Sequence, residues 1–282
     1  MKPTAPAARP RAPRRLHLSF WLSSALLTLL VVCALFPTFV AGQDPAKQNL
    51  RGRLQPPVWD AAGSWEHPLG TDHLGRDLWA RIVYGARISL LIAGGAVLIA
   101  GALGTVLGLV AGYTGGIVDE VIMRLADIQL SFSPILLVIA IMAVIGPGLQ
   151  NMILVLGIVS WVQYARVVRG ETLLIKEMLY VDAARSIGLP VRRILGRHIL
   201  PNVAPSLLVI ATVNASQQIL NEAALSFLGL GVQPPTPAWG SMLSEGQGYF
   251  QVSAWNAIFP GLAILVTVLA TNLLGDYFSD RR

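Results

Sequence analysis

Four histidines, His17, His67, His73 and His198, are the first residues to test for chemistry, and His67 and His73 with Asp72 and Asp77 could outline a metal site. Their spacing lacks the close ligand pairs that zinc motifs use, so no metal is expected. The P-loop pattern G-x-x-x-x-G-K-[ST] does not occur, and Gly229-Leu230-Gly231 fails as a dinucleotide fingerprint because Pro234 stands where its third glycine belongs. An intramembrane serine hydrolase needs a base beside its serine, and no histidine lies within the later apolar runs. Cys33, the single cysteine, excludes a disulfide within the chain and a cysteine-based metal site. Neither catalysis nor a cofactor is expected.

Two other polar groups are more informative. Asn214, Gln217, Gln218, Asn221 and Glu222 interrupt an apolar run, spaced so that Asn214, Gln217 or Gln218, and Asn221 share a helix face. Polar side chains are costly in a bilayer, and they line either a translocation path or an interhelical contact. The second group is Val181 to Pro201, VDAARSIGLPVRRILGRHILP, a basic amphipathic segment set between apolar runs. From its residues alone it is an interfacial loop that binds anionic lipid through Arg185, Arg192, Arg193 and Arg197.

The elements that carry these groups follow from composition. Of 282 residues, 54% are hydrophobic and only 13% charged, with a mean hydropathy of +0.61, which makes the chain an integral membrane protein. The net charge of +6 lies between apolar runs, not in a groove, so nucleic acid is not an expected partner, whereas membrane lipid is.

A spanning helix needs roughly 20 apolar residues. Six stretches qualify: Phe20 to Ala41, Ile88 to Tyr113, Leu130 to Ile145, Met152 to Val168, Val203 to Leu225 and Ala254 to Gly275. The third and fourth are divided at Gly146-Pro147-Gly148, which cannot continue a helix. With a cytoplasmic N-terminus, 15 lysines and arginines fall inside and six outside, so both termini are expected in the cytoplasm.

The expected divisions are a disordered basic tail (residues 1–15), a first transmembrane helix (16–41), an extracytoplasmic segment (42–87), a core of five spans (88–276) and a short tail (277–282). The first run is expected to stay as an anchor and not be cleaved as a signal peptide. Gly104, Gly108 and Gly112 recur every four residues and mark a close helix contact.

Asp182-Ala183-Ala184, three residues, Gly188, then nine residues before His198-Ile199-Leu200-Pro201, resembles the EAA loop of binding-protein-dependent ABC importer permeases. Asp182 replaces the glutamate of that pattern, and His198 the isoleucine. His67-Pro-Leu-Gly-Thr-Asp-His-Leu-Gly-Arg-Asp77, with Arg81, Gly85, Arg87 and Ser89, is similar to the C-type permeases of dipeptide, oligopeptide and nickel importers, as is Asn221-Glu-Ala-Ala-Leu-Ser-Phe-Leu-Gly-Leu-Gly231. Leu130-Ser-Phe-Ser-Pro134 carries one serine more than the usual Ser-Phe-Pro.

The resemblance implies an all-α membrane protein with the six-helix type I ABC importer permease fold, in a bacterial inner membrane. It implies a B-type permease partner, two ATPase subunits or domains, an extracytoplasmic binding protein and a di- or oligopeptide substrate, with nickel or glutathione as the alternative. Asp182, Ala183, Ala184, Arg185, Gly188, Leu189, Arg197, Leu200 and Pro201, within a coupling loop over 169–202, would then seat in the ATPase. The bare composition leaves a self-sufficient channel or proton-coupled carrier as a different class.

Overall fold

The computed structural model describes residues 15–280, with side chains over 20–279. The expected basic tail and the terminal Arg281 and Arg282 lie outside the described residues, apart from Arg15 and the start of the C-terminal tail. The described residues are helical, and their one β feature is an isolated bridge between Thr71 and Asp77.

Helix α1 covers Arg15–Leu35 and is followed by the short α2, Pro37–Ala41. A looped segment then leads to α3, Leu78–Thr114, which starts earlier than the apolar run because Asp77 caps it: the Asp77 carboxylate accepts the Ala80 N–H at 2.7 Å. At about 1.5 Å per residue α3 is roughly 55 Å long, so its first turns project beyond the bilayer core. It ends at Gly115, whose φ of +65° suits glycine.

Helix α4, Gly116–Leu130, meets α5, Pro134–Ile145, at an 87° bend. Ser131 to Ser133 form the break and Pro134 opens α5, so the third apolar run is only a 12-residue helix. That is about 18 Å, too short to span without α4. Gly146, at φ +85°, ends α5 as its sequence predicts. Helices α6, Leu149–Val159, and α7, Trp161–Ile175, continue one another past Ser160.

After α7 come α8, Leu179–Ser186, and α9, Val191–Ile194, then one wide π turn over Leu195–Ile199 that runs into α10, Leu200–Phe227. Helix α11, Trp239–Gln247, and α12, Trp255–Asp280, complete the chain. Among the described residues four helices are long and apolar enough to cross a membrane, or five with the bent α4–α5 pair as one span. The apolar part of α1 described is Phe20–Leu35, shorter than a full span.

Helix α3 is the axis of the packing. A Cβ on Gly104 would lie 2.4 Å from the Trp161 carbonyl, one on Gly108 2.6 Å from that of Ala165, and one on Gly112 2.7 Å from Thr172 Cβ. The stripe therefore lets α3 and α7 backbones touch, the close approach that supplies dispersion where lipid removes the hydrophobic drive. On other faces of α3, Ile92 and Ala96 join Met142, Met152 and Leu156, while Leu78 and Ala86 join Ile219 and Trp239.

Candidate functional site

The basic segment folds as an elbow at the C-terminal end of α3. Before it, α7 stops at Ile175 and α8 starts anew at Leu179, with Met178 extended between them. Gly188 stops α8 in a Schellman closure. Its N–H donates to Arg185 O at 2.9 Å, the Leu189 N–H donates to Ala184 O at 3.1 Å, and its φ is +76°. This explains glycine at that position. Any side chain there would carry left-handed strain of about 1–2 kcal/mol.

The elbow has its own core. Val181, Ala184, Ile194 and Ile199 are buried with Leu109 of α3, Val168 and Ile175 of α7 and Val203 of α10, and Leu189 and Leu200 pack against them. Ala184 is thus inside the elbow, at 4% exposure, while Ala183 beside it is exposed. Asp182, Arg185, Arg197 and Pro201 are also exposed.

Arg185 lies over the Tyr113 ring at 5.1 Å and donates to its hydroxyl at 3.4 Å, and Lys176 donates to Gly112 O at 3.0 Å. Both contacts fasten the elbow to the end of α3. Outward, Leu179 and Ile187 are 88% and 77% exposed, apolar surface that a soluble monomer seldom leaves bare.

The five polar residues of α10 separate into three groups. Asn214 donates to Gln163 Oε1 at 2.9 Å, and Gln218 donates to both Asn214 Oδ1 and Ser160 Oγ at 2.9 Å, tying α10 to α7 and the α6–α7 junction. Glu222 is fully buried and accepts from Ser89 Oγ at 2.9 Å and Ser226 Oγ at 2.8 Å, tying α10 to α3. Its partner Ser89 lies near the start of the α3 apolar run, and neighbouring helices shield the Glu222 carboxyl from water. Gln217 is exposed and donates to the half-buried Asn221 at 3.2 Å.

A model of the family described as "binding-protein-dependent transport system inner membrane component" matches residues 104–282, well over half of the chain. The chain belongs to this family. It is 44% identical over 254 residues to the di/tripeptide transport system permease protein DppC of Pseudomonas aeruginosa (strain UCBPP-PA14), covering 90% of this chain and 84% of that one. It is 42% identical to the dipeptide transport system permease protein DppC of Alkalihalophilus pseudofirmus over 255 residues, 90% and 82% of the two chains. With the glutathione transport system permease protein GsiD of Pectobacterium atrosepticum it shares 39% over 290 residues, 99% and 95% of the two. Among solved structures, an inward-facing MetNI methionine ABC transporter gives a TM-score of 0.55 at 19% identity, over 69% of this chain and 93% of that one, which supports the type I permease fold alone.

At the opposite end of α3 the permease carries an ionic cluster that reading by spans missed. Asp72 Oδ2 accepts from Arg76 Nε at 2.6 Å and Arg81 Nη1 at 2.5 Å, and both guanidiniums also reach Glu245 Oε2 of α11, at 2.9 and 2.8 Å. Burial alone pushes the Asp72 carboxyl up, but Arg81, the Arg76 backbone N–H and the Arg76 guanidinium together hold it below its ordinary value.

Asp72, His73 and Glu245 lie close enough to share a cation, yet the two arginines already neutralise the carboxylates, so the arrangement does not fit a metal. His67 joins a different pair, its Nδ1 lying 2.9 Å from Asp77 Oδ2. The sequence signal was present in Asp72 and Arg76, four apart, but Glu245 is far away along the chain.

Proposed function

We propose that the chain is one of two permease subunits of an ATP-driven importer of di- or tripeptides, forming half of the pathway and holding one ATPase by its elbow. The observation that carries this is the 44% identity to a di/tripeptide permease across 90% of the chain. Six crossings, α1, α3, α4–α5, α6–α7, α10 and α12, with both termini cytoplasmic, put the elbow inside and the Asp72 cluster outside. A sister B-type permease, two ATPase subunits or domains and an extracytoplasmic binding protein complete the assembly, and this chain does no catalysis.

The elbow suits a mechanical role because its core is shared with α3, α7 and α10, so a push on α8 moves three long helices together. Exposed Ala183, Leu179 and Ile187 form the contact, while Ala184 and Leu189 keep its shape. Gln217 and Asn221 line the path, and Asn214, Gln218 and Glu222 hold the helices around it.

Glutathione is the second reading, favoured by 39% identity to a glutathione permease over 99% of the chain. Vesicles containing this chain, its sister permease, both ATPases and the binding protein should accumulate labelled dipeptide only with ATP inside. Accumulation of glutathione but not dipeptide would select the second reading, and uptake by this chain alone would overturn both.

A further inference from the structure

Between α1 and α3 lies an open groove of about 260 Å³, lined by Val31, Ala34 and Leu35 on one side and Arg87, Leu90 and Leu91 on the other. Arg87 is its only charged residue among the described residues. It is exposed and has no hydrogen-bond or ion-pair partner among the described residues, unlike Arg76 and Arg81 on the same stretch of chain. It also marks a boundary: from Ile88 to Tyr113 the helix has no charged residue, whereas the side before it leads into the polar looped segment. On α1, Leu35 ends the helix, and only the short α2 separates it from that same looped segment, so both walls lie close to the polar edge in the chain.

We propose that this groove is a binding site for one anionic phospholipid, its phosphate on Arg87 and the upper part of an acyl chain along Val31, Leu90 and Leu91. A guanidinium is suited to the task because its fork pairs two phosphate oxygens and it is only weakly hydrated. The apolar wall supplies what a free phosphate could not use. The volume is several times the roughly 30 Å³ share of one water, enough for a phosphate group with the first methylenes of a chain. The groove opens sideways, flanked by Val31, Leu35 and Leu91 at 45%, 65% and 51% exposure, so a lipid can enter from the bilayer. The inference rests on the chain being an inner-membrane component and not on the solute it transports.

The test is native mass spectrometry of the complete transporter, titrated with phosphatidylglycerol after delipidation. Arg87→Gln should weaken the first binding step about tenfold, the scale of one lost charge-assisted pair. Leu90→Trp, which fills the groove and keeps the arginine, should do the same, whereas Arg51→Gln, an exposed arginine of the looped segment, should leave it unchanged. Thermal unfolding of each variant checks that it is folded, and Arg87→Gln, a surface change, keeps the test decisive if Leu90→Trp is not. Glycerol 3-phosphate, a headgroup without a chain, should fail to compete; competition would assign the site to free phosphate and overturn the lipid. First-step affinities equal to wild type in Arg87→Gln would overturn it too, as would cysteine crosslinks from Val31→Cys and Leu91→Cys to another protein chain.

Discussion

Asp72 and Glu222 are both buried carboxyls, and their surroundings give them different work. Asp72 sits against two guanidiniums outside the spans, so removing it leaves Arg76 and Arg81 short of a partner in a dry site. Asp72→Ala should cost about 3–5 kcal/mol, the scale for breaking a buried pair, read as a lower unfolding temperature of the purified transporter. Because the folded carboxyl is held below its ordinary value, the stabilisation is complete above about pH 4 and is lost as pH falls through that lowered value. The unfolding temperature should therefore drop on acidification below about pH 4 by less in Asp72→Asn than in wild type. Glu222 has hydroxyls and no cation, and it joins α3 to α10 through Ser89. Residue types flagged all of the α10 polar residues, but not which of them face inward. That division depends on where Ser89, Ser160 and Gln163 arrive: Ser160 and Gln163 did not stand out in the sequence, and Ser89 did so only within the motif before the second span.

Among the elements, α3 and the elbow respond to different substitutions. Gly108→Leu should separate α3 from α7, since even a Cβ would meet Ala165 O at 2.6 Å and Val168 Cβ at 2.8 Å. A loss of about 1–3 kcal/mol or more is expected, read by thermal unfolding in detergent. Ala184→Trp should fail in the same way, because the position is inside the elbow. A clean probe of coupling is Leu179→Asp, at 88% exposure, which should keep stability within about 0.5 kcal/mol of wild type in thermal unfolding. It should nonetheless uncouple ATP hydrolysis from uptake in reconstituted vesicles; normal uptake would remove α8 from the contact. The Gly188 to Pro201 spacing was legible because a Schellman glycine and a first-turn proline each have a local backbone cause. The gap at Lys176 to Met178 was not, since no proline or glycine marks it and packing of Val181 and Ile175 into one cluster closes it.

At the scale of the whole molecule, the spans are mostly unburied within the single chain: 28% of the window in α3 is buried, 50% in α6–α7 and 33% in α12. Those faces await lipid and a second permease, so the purified chain alone should give no solute uptake, and adding the sister permease, ATPases and binding protein should restore it. Sequence alone determined that this is a helical membrane protein, where its glycines and prolines break the apolar runs, and which loop resembles a coupling segment. Each follows from local composition and spacing, which act over a few residues. Only the tertiary structure decided that the third run is half of a bent pair, that Ala184 is core while Ala183 is surface, and that Asp72 shares two arginines with Glu245. These depend on contacts between residues far apart in the chain, and the pattern of polar and apolar residues along it cannot encode which distant face a helix will meet.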